Sequence, residues 1–427
     1  MTTLEFPITF DPLLHPSQLD SADETYLSGI MATAGAKTYT QPECSVSLPF
    51  DGDIVEQAQN LHQRITSAHP LKFVVVVGIG GSNLGTLAIY DAIYKMDDVY
   101  GSDIVRPRLL TLDTVHDATT ARICDHLEQN MTHVDDVVIC IVSKSGNTTE
   151  TMANANILIQ ALEPRFGSIH ERIVIITDPA SALHSLALDR KYNVLTLPKQ
   201  VGGRYSVFSA VGIFPLICLK IDVEALLRGA RDAINGLDSP DSIARRAYLD
   251  IKTAYDAGLG IHDLFLFDPR LETLGKWYRQ LLAESLGKDG KGMLPTVSIG
   301  STDLHSVAQL YLGGPNDRYT SFVWVEQGTD CVIDERPSLA LVENLGQKSL
   351  STIYHAIYEG TREAYTKMGR MHDAYHFSTL DAESLGCWMQ SAMLWTMMLG
   401  RHMAVNSFDQ PQVEVYKIAT RSILNHP

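Results

Sequence analysis

Five hydroxyl side chains crowd into the stretch Ser143-Lys144-Ser145-Gly146-Asn147-Thr148-Thr149-Glu150-Thr151. The run before it, residues 137–142, is short, apolar and rich in valine and isoleucine, as a strand covered on both faces should be. MANANILIQALE after it reads as a helix. Hydroxyls at such a junction suit an oxyanion. Parallel α/β sheets place ligands at the C-terminal ends of their strands, and the next helix aims the positive end of its dipole there. Hydroxyl and backbone N–H donors can saturate the oxygens of a phosphate without a cluster of arginines. Capping a helix needs only one Ser or Thr. The surplus argues for a phosphate, with Ser143, Ser145 and Thr148 as donors.

A second turn of this kind, GIGGSNLG at 78–85, follows the apolar run 73–77 and feeds another helix. Glycine lets backbone N–H groups approach an anion with no Cβ in the way. A dinucleotide fingerprint requires glycine at 83, where this chain has Asn83; a P-loop requires Lys and then Ser or Thr after Gly85, where it has Thr86 and Leu87. Asp113, at the end of the next strand, stands where a ribose-binding acid would, which keeps a dehydrogenase among the rivals. The mismatched glycines favour a phosphorylated small molecule over a nucleotide.

GIGGSNLG, SKSGNTTET, GGRYSVFSAVG, LLAESLGK, STDLHS and FDQPQVEVYK occur in this order between residues 78 and 417. Together they resemble the phosphoglucose isomerase family, whose SKSGNTTET-type loop is shared with the wider sugar-isomerase (SIS) superfamily. The resemblance implies interconversion of glucose 6-phosphate and fructose 6-phosphate through a cis-enediol. That chemistry needs a carboxylate base, a cation near the enediolate oxygens and an acid for ring opening. By resemblance Glu284 is the base, Arg204 the cation, and His305 and Lys417 open the ring. Gln280 and Gln410 correspond to sugar contacts, and Gly81, Ser82, Ser143, Lys144, Ser145 and Thr148 to backbone and phosphate contacts. Gln280 precedes Glu284 by one helical turn, so both can face one side. An enediol proton transfer needs no cofactor. The resemblance further implies a homodimer in which His305 serves the neighbouring subunit's site. In FDQPQVEVYK, Gln412 stands where the family usually has Gly or Ala.

Two rivals share this phosphate chemistry: a dual phosphoglucose/phosphomannose isomerase and a non-catalytic SIS-type sugar-phosphate binder. Having Glu284, His305, Arg204 and Lys417 together argues against the binder, because holding a phosphate requires no base. A metal mechanism is a further alternative. His372 and His376 are spaced to share a helical face, but no HExxH or His-x-His accompanies them, and the expectation is an exposed helical pair with no metal.

Elements must position these groups. From about residue 70, short β-branched runs at 73–77, 107–112, 137–142, 172–177 and 193–197 alternate with longer amphipathic stretches. A helical zone at 221–258 separates them from a second series, HDLFLFD, MLPTVSIG and SFVWVE. The expected fold is α/β: two SIS-type α/β/α sandwich domains with mainly parallel sheets, plus an N-terminal extension and a C-terminal helix. Expected boundaries are 1–55 for the extension, 56–220 for the first domain, 221–249 for a helical connection, 250–411 for the second domain and 412–427 for the helix carrying Lys417.

A chain of 427 residues, 45% hydrophobic, can bury a large core. Its net charge of -16 opposes encounter with nucleic acid or an anionic membrane, so an anionic ligand must be held locally. Six scattered cysteines without CxxC read as buried, reduced thiols of a cytoplasmic protein. Acids and prolines occupy the N-terminus where a signal peptide needs a basic start and an apolar core. Glycine, proline or polar residues break the longest apolar stretches before the ~20 residues that span a bilayer.

Overall fold

Ten strands form in a computed structural model that describes residues 7–12, 18–36, 38–101, 105–328, 331–339 and 341–425. In chain order they are β1 (Ile8–Asp11), β2 (Phe73–Val77), β3 (Arg108–Leu112), β4 (Val137–Val142), β5 (Ile173–Thr177), β6 (Asn193–Thr196), β7 (Ile261–Phe267), β8 (Leu294–Ile299), β9 (Arg318–Val325) and β10 (His372–Phe377). The first sheet has the order β3-β2-β4-β5-β6 and is parallel throughout. Every residue of β2, β4 and β5 is buried, as unbroken apolar runs require of strands covered on both faces. The chain leaves β2 for β3 on one side and returns to β4 on the other. Strand order therefore reverses between β2 and β4, which opens a crevice at their C-terminal ends.

The second sheet has the order β1-β10-β9-β7-β8, parallel except for β1, which runs antiparallel to β10. On the second sheet packs the helix Ala382–His402, whose Trp388 and Trp395 meet Tyr375 of β10 and whose residues from Ser384 to Gly400 are all buried. It crosses the helix Val223–Asn235 at a pair of glycines. A Cβ on Gly229 would collide with the Glu383 carbonyl, and one on Gly386 with the Leu226 carbonyl, so the two backbones meet directly. Among the described residues no helix is long and apolar enough to cross a membrane.

Two expectations are corrected, and a third gains detail. Within the N-terminal extension expected over 1–55, Ile8 pairs with Phe377 and Asp11 with Ala374 at the edge of the second sheet. The helix Ser21–Ala36 is fastened to the core through buried Asp23, which accepts hydrogen bonds from Tyr248 at 3.1 Å and from Arg401 at 2.7 Å. His372 and His376 lie on strand β10, not on a helix. His376 meets the Tyr358 hydroxyl at 3.2 Å and His372 the Arg370 carbonyl at 2.9 Å, and burial lowers the pKa of both. Finally, Cys331 is exposed, while the other five cysteines are buried.

At the opening of β4, the buried Asp136 carboxylate accepts from the Thr132 and His133 amides at 2.6 and 3.1 Å and from Lys72 at 3.0 Å, and it meets His69 at 2.7 Å. Burial alone would raise its pKa, but these donors outweigh burial and hold the carboxyl well below the ordinary value. A depressed carboxylate contributes stability above its unfolded pKa and loses it as pH falls toward the folded one. Asp136→Asn is expected to remove about 3 kcal/mol at pH 7 and to flatten the loss of stability below about pH 4. Urea unfolding at both pH values checks this.

Candidate active site

Glycines bring the turn after β2 against its neighbours on two sides. A Cβ on Gly78 would press on the Val142 carbonyl oxygen at 3.0 Å, so its absence lets this turn lie beside the end of β4. Gly80 adopts φ +61, the left-handed region that glycine enters freely. Gly81 sits on the Gly203 backbone with no room for a side chain, which brings the turn Gly203–Tyr205 into the crevice. The glycines therefore serve loop-to-loop packing as well as leaving N–H groups open to an anion.

Across the crevice, the Ser143 and Thr148 hydroxyls lie 2.9 Å apart, and Ser145 is 3.5 Å from Thr148. Gly146, at φ +72, closes the turn by donating to the Ser143 carbonyl at 3.2 Å. Thr148 occupies the N-cap of the helix Thr149–Phe166, yet its side chain makes no capping bond. Its hydroxyl is thus not committed to the helix, contrary to what simple capping would require. Ser143 is buried, Ser145 is exposed, and Lys144 between them is half-buried. Burial lowers the Lys144 pKa, with Asp178 opposing that shift.

The helix Glu272–Leu286 supplies a carboxylate to the same region. Gln280 donates to Glu284 Oε1 at 2.9 Å and Arg204 Nη1 to Oε2 at 3.2 Å, while the Glu284 side chain keeps 27% of its surface exposed. Gly80 lies against the Gln280 amide, where a Cβ would stand 2.8 Å from Nε2. The turn after β2 thereby touches both the end of β4, where the hydroxyl loop begins, and the group that orients Glu284. Arg204 is buried, and its Nε donates to Ser285 Oγ at 2.8 Å and its Nη2 to the Ser407 and Asp409 carbonyls at 2.5 and 3.1 Å. Four of its five N–H donors are engaged within the protein, which leaves one on Nη1 for a ligand.

Among the described residues, no hydrogen bond or ion pair joins His305 or Lys417 to this cluster. The helix Glu272–Leu286 starts at the C-terminal end of β7, where Gly275 packs against Leu266 and Val297, and the chain must return to the opposite edge to begin β8. Glu284, near the end of that helix, lies by the N-terminal edge of the second sheet. His305 follows the C-terminal end of β8, a strand of six residues and so about 17 Å long. Its side chain is exposed. Lys417 pairs with Glu414 at 2.9 Å on the helix Val413–Asn425, which buries none of its residues and bares Val415, Tyr416, Ile418, Ile423 and Leu424. Gln410 is half-buried and directly follows Asp409, so Arg204 holds its neighbour.

Sequence reasoning missed Ser285, Tyr205 and Lys288. Ser285 Oγ joins Arg204 to the Tyr205 hydroxyl at 3.0 Å, and Lys288 ties the end of the helix Glu272–Leu286 to the segment before Gln410. All three lie inside quoted motifs, but their partners are too distant in the chain for spacing to reveal.

Residues 53–335 match the phosphoglucose isomerase family. The glucose-6-phosphate isomerase of Rubrobacter xylanophilus is 34% identical over 395 residues, covering 90% of this chain and 90% of that protein. Among solved structures, a hypothetical protein from Thermus thermophilus superposes with a TM-score of 0.82 at 29% identity, covering 95% of this chain and 96% of the other. A glucose-6-phosphate isomerase from Chlamydia trachomatis superposes with a TM-score of 0.73 at 19% identity, covering 96% and 87%, a likeness of fold alone.

Proposed function

The chain belongs to the phosphoglucose isomerase family, and from that premise we propose how its cleft performs the reaction. The enzyme interconverts glucose 6-phosphate and fructose 6-phosphate, an aldose–ketose isomerisation of glycolysis and gluconeogenesis. Glu284 carries the proton between C2 and C1, and the free Nη1 donor of Arg204 faces the enediolate oxygens. Ser143, Lys144, Ser145 and Thr148 hold the phosphate, with Gly81 and Ser82 offering backbone donors and Gln280 and Gln410 contacting the sugar. His305 and Lys417 open the ring. The observation that carries this reading is the Glu284 carboxylate. Both its oxygens are oriented, by Gln280 and by Arg204, while it stays open to the crevice that holds the hydroxyl loop.

A second copy of the chain completes the site in this reading. Support comes from the placement of His305 at the far edge of its own second sheet and from a C-terminal helix whose apolar side chains stand exposed among the described residues. The cytoplasm, which supplies sugar phosphates and keeps thiols reduced, is the compartment that fits. Residues 56–220 and 250–411 correspond to the two SIS units.

Purified protein is expected to convert fructose 6-phosphate and to favour it over mannose 6-phosphate in a coupled assay. Equal turnover of the two would support the dual isomerase, and tight binding without turnover a sugar-phosphate sensor. Shared sites are tested by mixing two inactive variants, Glu284→Gln and His305→Ala. Subunit exchange is expected to restore about a quarter of wild-type activity, because half the dimers are hybrids and each hybrid has one intact site. Mixtures that stay inactive after exchange would place His305 in its own subunit's site.

A further inference from the structure

The segment joining the helices Ala382–His402 and Val413–Asn425 has no regular structure, yet three cations grip it. Lys291 donates to the Met403 carbonyl at 2.8 Å, and Arg204 to the Ser407 and Asp409 carbonyls. Lys288 donates to the Asn406 carbonyl and pairs with the Asp409 carboxylate at 3.1 Å. Its third bond goes to the Ser285 carbonyl at 3.1 Å, in the last turn of the helix that carries Glu284.

Two donors of this ammonium go to backbone carbonyls, and its charge is paired with the Asp409 carboxylate. Lys288 is thereby committed to the protein's own backbone and to Asp409. Its side chain is only 6% exposed, and burying an ammonium is unfavourable unless it is well paired. Burial lowers its pKa, with Asp409 opposing. Capping a helix end would need one bond from a solvated lysine. Here the ammonium instead ties the base helix to the strap that bears Gln410 and leads into the helix of Lys417.

We propose that Lys288 is a positioning residue, which locks the strap 403–410 to the end of the base helix and thereby sets where Gln410 and Lys417 stand for ring opening. The proposal rests on the ring-opening reading of Lys417. It separates two steps: proton transfer at Glu284 should tolerate a loosened strap better than ring opening does.

Ring opening can be isolated in a Glu284→Gln background, where the anomers of glucose 6-phosphate still interconvert through the open chain while isomerisation is blocked. Exchange between anomers is read by NMR above the spontaneous rate. Adding Lys288→Met is expected to slow catalysed anomer exchange by about ten- to a hundredfold, the scale of a misplacement of about 1 Å. Lys288→Arg, which keeps charge and several donors, should restore part of it, and Asp409→Asn should fall between. In the otherwise wild-type chain, Lys288→Met should lower kcat with KM changed by less than about threefold. Anomer exchange as fast with Lys288→Met or Asp409→Asn as without would overturn the proposal; Asp409→Asn decides the matter if the Met variant does not fold. Undiminished exchange with Lys417→Met would overturn the reading of Lys417 instead, and the purpose assigned to the latch with it.

Discussion

Glu284→Gln is expected to lower kcat by about 10³- to 10⁴-fold in both directions while KM for fructose 6-phosphate stays within about threefold. Glutamine has the shape of the carboxylate and can still accept from either Gln280 or Arg204, so the binding crevice should persist. It cannot take a proton from carbon. One of the two donors loses its acceptor, a local penalty of about 1 kcal/mol that a unfolding measurement would register separately from the rate. Glu284→Asp sharpens the test. It keeps the charge but withdraws the carboxylate by one methylene, and about 10- to 100-fold should be lost through misplacement alone. Steady-state kinetics on the three proteins, with deuterium incorporation at C2 followed by NMR, distinguish the cases. A Gln variant that turns over like wild type would remove Glu284 from the proton transfer.

Local signals account for much of what could be read without coordinates. β2 and β4 fall where their unbroken apolar runs put them, because a strand buried on both faces admits no polar interruption. Strand β10 was hidden. HDAYHF mixes polar with aromatic residues, and a spacing of four places His372 and His376 on one face of a helix or of a strand alike. β1, four residues long, is too short to show a period. The pairing of Gln280 with Glu284 followed from one helical turn, whereas the partners of Arg204 at Ser285 and Ser407 lie 81 and 203 residues away and left no local trace. The glycines of GIGGSNLG suggested a tight strand-to-helix turn, which lies at the crevice, but their contact with Gly203 depends on tertiary packing. The separation of His305 from Glu284 emerges only from the direction of the crossover between β7 and β8.

Arg204→Lys should damage both stability and rate, although it preserves the charge. A lysine ammonium has three donors on one atom, and it cannot span Ser285 Oγ, the Glu284 carboxylate and the two strap carbonyls as the planar guanidinium does. Buried acceptors would be left without donors, at about 2–4 kcal/mol in total, read as a lower urea midpoint with an unchanged slope. kcat/KM should fall by about 10²- to 10³-fold, because the base loses its orienting partner and the enediolate its remaining N–H. These losses share one cause, so they should not add. Placed in the Glu284→Gln background, Arg204→Lys should lower the residual isomerisation by much less than it lowers wild-type activity, since one of its effects acts through the carboxylate that is already gone. Full additivity would instead mean that Arg204 acts on the substrate alone, and that its contact with Glu284 is incidental to the chemistry.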